Sequence, residues 1–143
     1  MSLLFSFCAR FFPYIVVVFA VLGVFILGFS NKQIFIIGVS VLVAWAASFF
    51  LKVTFKRIRP NNTRAKAPFL AESIYSFPSE HATIFSALGG IMYFINVQVG
   101  ILFIVFAGLI GVSRARIKIH FWSDILAGWI LGFIIGFLFS KLL

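Results

Sequence analysis

The sequence predicts an all-α integral membrane protein, a helical bundle of about five transmembrane helices in which residues 1–143 form a single membrane-embedded domain. Three observations lead there. Apolar residues make up 63% of the chain and charged residues 10%, with a mean hydropathy of +1.18; a soluble domain of this size could not bury so much apolar surface. The apolar residues fall in runs close to the ~20 that a helix needs to cross a hydrocarbon core. The polar residues gather in short segments between those runs.

Residues 11–29 are the first uncharged run, with Pro13 near its start. No basic region precedes it and no small-residue cleavage site stands out, so it reads as a retained helix and not as a removed leader. Ser30, Asn31, Lys32 and Gln33 make a short polar turn before the second run, residues 34–51, which contains Trp45. Residues 52–78 then carry six Lys or Arg, one Glu and three of the four prolines. This is the longest loop, of a length at which loops are usually functional or disordered. If its first part continues the second helix, Lys52, Lys56 and Arg59 share one face and Pro60 ends the helix. The third run, residues 79–97, opens with Ser79 as N-cap and Glu80 in the first turn. The fourth, residues 99–112, is short for a span and can borrow Ser113 and Arg114. The fifth covers residues 121–138; Gly128, Gly132, Gly136 and, two residues past its end, Ser140 recur every four residues. That stripe lets a second helix approach closely, either within the chain or in a homo-oligomer.

Five spans bring the end of the second, the start of the third, the end of the fourth and the start of the fifth to one membrane face. Every acid, both histidines and ten of the twelve bases, all but Lys32 and Lys141, then share that face, Arg10 included. Convergence of this kind is expected of an active site at a bilayer surface. The net charge of +9 sits in these short segments and is not spread over a domain surface. Anionic headgroups or a phosphate substrate therefore fit it better than nucleic acid does. Cys8 is the only cysteine, so no internal disulfide can form.

The densest polar stretch is residues 113–124, SRARIKIHFWSD. Asp124 follows His120 by four residues, and a helical backbone would set its carboxylate one turn from the imidazole. A carboxylate on one ring nitrogen fixes the tautomer and leaves the other nitrogen free to attack or to move a proton. Arg114 offers a planar donor fork suited to phosphate oxygens. The plain alternative is a cluster of solvated loop charges beside a histidine; convergence on one face weighs against it.

Three pieces now stand together: Lys52, six residues, Arg59-Pro60; Pro78-Ser79-Glu80-His81; and Ser113-Arg114, five residues, His120, three residues, Asp124. In order and spacing the set resembles the three-part signature of the type 2 phosphatidic acid phosphatase (PAP2) superfamily, membrane lipid phosphatases related in fold to vanadium haloperoxidases. The resemblance implies that His120 is a nucleophile forming a phosphohistidine, that Asp124 is its orienting carboxylate and that His81 is the general acid. It implies a phosphate clamp of Lys52, Arg59 and Arg114, helped by Ser79 and by local backbone amides, that of Glu80 among them. Glu80 stands where the family pattern usually has glycine. Its carboxylate would repel a phosphate unless it turns toward a Lys or Arg. Family members commonly have six spans, one more than is read here.

The chemistry fits such a site on its own terms. Phosphate monoester hydrolysis is among the slowest uncatalysed reactions, so several effects must add. Three fixed cations answer the charge on the equatorial oxygens, and a covalent step divides the displacement in two. Three acids, one cysteine and two histidines form no recognisable metal-ligand set, so neither metal nor cofactor is expected. Lys56, Arg57, Arg64, Lys66, Arg116 and Lys118 read as surface charges outside the site. The expected substrate is a lipid phosphate or lipid pyrophosphate, and the expected surroundings are the bilayer of the cell (inner) membrane. Two alternatives are a non-catalytic membrane protein that binds anionic lipids and a lipid phosphotransferase. The excess of bases on the site's face favours the cytoplasmic side. The resemblance implies the non-cytoplasmic face, and the reading follows the resemblance.

Overall fold

The computed structural model describes residues 28–60 and 75–143, together with Tyr14 and Val18. Most of the first expected span, Cys8, Arg10 and loop residues 61–74 lie outside the described residues. Four helices are described: α1 (Asn31–Phe55), α2 (Glu80–Ile95), α3 (Val97–Arg116) and α4 (Trp122–Ser140). By length and composition α1, α3 and α4 can each cross a membrane. Their outward faces carry Phe35, Leu42, Phe50, Ile101, Ile130 and Leu138, all exposed. Large apolar side chains covering the perimeter mark a surface made for lipid. The chain is an all-helical integral membrane protein.

α2 is the hub. It has 16 residues, about 24 Å of helix, and packs against the other three helices. Ala82, Thr83 and every residue from Phe85 to Met92 are buried. Its side chains Phe85, Leu88, Ile91 and Met92 join Ile36 and Ile37 of α1 and Phe103, Ala107 and Ile110 of α3 in the main core. Two polar contacts tie α4 to its neighbours: Ser86 Oγ donates to the Trp129 carbonyl at 2.8 Å and Trp129 Nε1 to the Ala107 carbonyl at 3.0 Å.

The small-residue stripe of α4 lies against α2. A Cβ at Gly128 would stand 2.7 Å from the Ser79 carbonyl oxygen, one at Gly132 would strike the Thr83 carbonyl, and one at Gly136 the Ala87 carbonyl. All three glycines are buried within the chain. The stripe serves an internal contact, one of the two uses open to it.

The second helix outlasts its apolar run by one turn but stops short of Pro60. α1 begins at a capping box, in which Ser30 Oγ accepts from the Gln33 N–H and Gln33 Oε1 from the Ser30 N–H, and it stops at Phe55. Lys56 takes a left-handed conformation, φ 48°, and its N–H donates to the Lys52 carbonyl at 3.0 Å. The chain then runs extended: Ile58 bridges Tyr75 and the Ser76 N–H donates to the Arg57 carbonyl at 2.7 Å. Lys52, Lys56 and Arg59 thus do not share a helical face. Pairing with residues 75–76 satisfies the backbone that a longer helix would have used. α3 extends through Arg116, borrowing Ser113 and Arg114 as its short apolar run required.

Candidate active site

One end of the bundle gathers the last turn of α1, the extended segment at residues 57–59, the turn before α2, the start of α2, the end of α3 and the start of α4. Ser79, the N-cap position of α2, donates its N–H to the Asp124 carbonyl at 3.0 Å, which locks the starts of α2 and α4 together. Between α3 and α4 the chain turns at Lys118, φ 59°, so that the Ile119 N–H reaches back to the Arg114 carbonyl at 3.1 Å. This short loop places His120 just ahead of α4.

His120 is 3% exposed. Its Nδ1 lies 2.8 Å from the Ser76 carbonyl oxygen. A carbonyl only accepts, so Nδ1 carries the proton and Nε2 keeps a lone pair. Asp124 stands beside the ring with Oδ2 at 3.7 Å from Nδ1, too far for a hydrogen bond. That carboxylate is fully buried and held elsewhere: Oδ1 accepts from Arg57 Nη1 at 2.8 Å and Oδ2 from the Phe121 N–H at 2.9 Å. The Ser76 carbonyl thus holds Nδ1, with the Asp124 carboxylate beside it at ion-pair distance. Burial pushes the His120 pKa down to about 4; Asp124 opposes the shift, and the cations Arg114, Arg59 and Lys52 add to it. The ring is neutral at physiological pH.

The three expected phosphate cations surround it. Lys52 is 3% exposed, and its Nζ meets Glu80 Oε2 at 2.8 Å. Glu80 has thus turned toward a lysine, the condition its unusual place in the motif imposed. Arg59 is buried, with Nη1 3.4 Å from the Ile119 carbonyl. Arg114 is half-buried at the end of α3. His81, half-buried in the first turn of α2, is within electrostatic reach of Arg114, His120, Lys52 and Arg59. Ser79 Oγ is buried and has no hydrogen-bond partner among the described residues. The structure thus brings His120, Asp124, His81, Lys52, Arg59, Ser79, Glu80 and Arg114 to one end of the bundle.

Two participants escaped the sequence. Arg57, expected at the surface, pairs with Asp124, donates to Ser123 Oγ at 2.7 Å and lies 4.0 Å above the Phe121 ring. Reading residues 57–59 as a strand would have put Arg57 on the same side as Arg59, because side chains alternate with a period of two. Ser76 works through its main-chain carbonyl, which carries no side-chain signal. Lys56, Arg116 and Lys118 are exposed, as surface charges should be, while Arg64 and Lys66 lie outside the described residues. Among the described residues no three His, Cys, Asp or Glu side chains gather in a way that could hold a metal ion.

The site sets a buried imidazole within electrostatic reach of two guanidinium groups and an ammonium, at one end of an all-helical membrane protein. The chain belongs to the PAP2 superfamily, whose family model matches residues 33–143. It is 28% identical over 115 residues to the undecaprenyl-diphosphatase BcrC of Bacillus subtilis, with 78% of this chain and 58% of that protein covered. To the phosphatidylglycerophosphatase B of Bacillus subtilis it is 32% identical over 99 residues, covering 62% of this chain and 47% of that protein. The chain thus spans about half the length of the curated relatives it matches. Its fold is shared with the crystal structure of a transmembrane PAP2-type phosphatidylglycerolphosphate phosphatase from Bacillus subtilis. The TM-score is 0.65 at 22% identity, covering 99% of this chain and 75% of that one.

Proposed function

We propose that the chain is a membrane lipid phosphatase that hydrolyses a phosphoric ester or anhydride through a phosphohistidine at His120, without a metal. The observation that carries this reading is the setting of His120. Its Nδ1 is bound by the Ser76 carbonyl at 2.8 Å and its pKa is pushed down to about 4. The lone pair on Nε2 is therefore available without prior deprotonation, a requirement for a nucleophile at neutral pH.

In the first step Nε2 attacks phosphorus, the P–N bond forms, and the bond from phosphorus to the leaving oxygen breaks. Lys52, Arg59 and Arg114 balance the charge on the non-bridging oxygens, and Ser79 Oγ adds a donor. His81, protonated by the proton that a phosphate monoanion brings into the site, gives it to the leaving oxygen. In the second step His81 takes a proton from water, the water oxygen attacks phosphorus, and the P–N bond breaks to return neutral His120 and inorganic phosphate.

The lipid nature of the substrate follows from where the site sits, at the end of helices whose flanks are lipid-facing. The relatives' names support two headgroup types, a polyprenyl diphosphate and a phosphatidylglycerol phosphate; phosphatidic acid is a third candidate of the same chemistry. We assign the site to the non-cytoplasmic face of the cell membrane, following the family.

The test is phosphate release from a panel of lipid phosphates and diphosphates by protein purified in detergent, with a chelator present. Wild type releases phosphate, and His120→Ala and His81→Ala do so at least about a hundredfold more slowly. A protein that binds headgroups but releases no phosphate from any lipid is a binder, and the reading fails. Labelling a cysteine placed at Asn61 or Asn62 with a membrane-impermeant reagent in intact cells assigns the face: modification supports the outward site, protection contradicts it.

A further inference from the structure

We propose that Glu80 is a carboxylate latch on the phosphate clamp, pairing with Lys52 at rest and competing with the incoming phosphate for it, so that free phosphate is held weakly. The proposal rests on the hydrolase reading above and concerns what that site selects.

The pair is 2.8 Å long between side chains 3% and 14% exposed, brought together from the last turn of α1 and the first turn of α2. A buried ammonium needs a counter-charge, and Glu80 supplies it from within the protein. The carboxylate also acts electrostatically on Arg114, so it bears on two of the three clamp cations. A phosphate that enters must displace the carboxylate from Lys52 or share the ammonium with it, and it is repelled by Glu80 in either case. The penalty is the same for a lipid phosphate and for orthophosphate, but its consequences differ. The lipid keeps its apolar chain in the bilayer and is held there independently of the clamp. Orthophosphate has only its charge to hold it. The latch therefore discriminates between substrate and product: once the P–N bond has broken, Glu80 returns to Lys52 and the phosphate leaves. A glycine at this position, usual for the family, has no such competitor.

Orthophosphate is the probe, applied to the whole chain in detergent micelles. Its affinity is read from the dependence of the thermal unfolding midpoint on phosphate concentration, and independently from inhibition of lipid phosphate hydrolysis. Glu80→Gln, nearly the same shape without the charge, is expected to bind orthophosphate at least about tenfold more tightly than wild type. Its midpoint is expected to lie below wild type without phosphate, because Lys52 is left without that carboxylate, and to be restored by phosphate. The gain is expected to vanish in Glu80→Gln combined with Lys52→Met, since it passes through Lys52. Superimposable phosphate titrations of wild type and Glu80→Gln overturn the latch, as does a gain that survives Lys52→Met. If Glu80→Gln does not fold, Glu80→Asp carries the test: a shorter carboxylate with a weaker grip gives tighter phosphate binding than wild type, and unchanged binding overturns the proposal. Failure of the two ideas is distinguishable. Hydrolysis with superimposed titrations removes the latch alone, whereas a wild type that hydrolyses no lipid removes the hydrolase reading, and the phosphate titrations still decide the latch.

Discussion

Replacing Arg57 with methionine separates the two influences on His120. In the folded protein Arg57 Nη1 lies 2.8 Å from Asp124 Oδ1, with Arg57 39% exposed and Asp124 fully buried. Coulomb's law at an effective dielectric of about 20 gives roughly 6 kcal/mol for charges at that separation. Solvent screening at the exposed guanidinium reduces the net value, so a loss of about 1–3 kcal/mol in stability is expected once the buried carboxylate stands without it. The released carboxylate then acts more strongly on the imidazole 3.7 Å away. A negative charge favours imidazolium, so the His120 pKa rises from about 4 toward its ordinary value. Wild-type kcat/KM, followed with a lipid phosphate in detergent, should lose activity on the acid side near pH 4, where Nε2 becomes protonated. In Arg57→Met that limb should move up to about pH 5–6, leaving the variant slowest relative to wild type at mildly acid pH. Arg57→Lys, which keeps the charge without the planar fork, should restore much of the profile. An Arg57→Met enzyme with the wild-type limb and thermal midpoint would refute the reasoning.

Other perturbations probe the scaffold and the chemistry. Gly132→Leu should destabilise the bundle by about 3 kcal/mol or more, because even a Cβ there meets the Thr83 carbonyl, whereas Gly108→Ala, with nothing within 4 Å, should leave the thermal midpoint near wild type. Trp129→Phe removes the donor to the Ala107 carbonyl and should cost about 1 kcal/mol, read by thermal unfolding in detergent. Chelation with EDTA should leave phosphate release unchanged; loss of turnover that a divalent cation restores would contradict a metal-free mechanism.

The lipid-facing helices were legible because a bilayer demands long uncharged runs and the polar segments between them are hard to mistake. The motif residues were legible through spacing and sidedness, and they meet at one end of the bundle. Part of what escaped detection followed from one local event. Lys56 adopts the left-handed conformation usually associated with glycine or asparagine at a helix end, so nothing in its identity announced that α1 stops at Phe55. Arg57 consequently reads as a surface charge and not as the strand neighbour of Arg59. The Ser76 carbonyl was invisible because every residue carries one. The glycine stripe signalled close packing correctly, but no glycine specifies whether its neighbour lies in the same chain, and α2, with its own Ala82 and Ala87 at the contact, was settled only by the three-dimensional packing.

The central claim is a covalent bond between phosphorus and His120. Wild-type protein should be mixed with a lipid phosphate labelled in its terminal phosphoryl group, quenched in base within the first turnovers, digested, and mapped by mass spectrometry. The account expects an acid-labile, base-stable adduct on the peptide containing His120, formed and discharged fast enough to lie on the path of phosphate release, and absent from His120→Ala. Rapid phosphate release with no adduct on that ring, across substrates that are turned over, would contradict it.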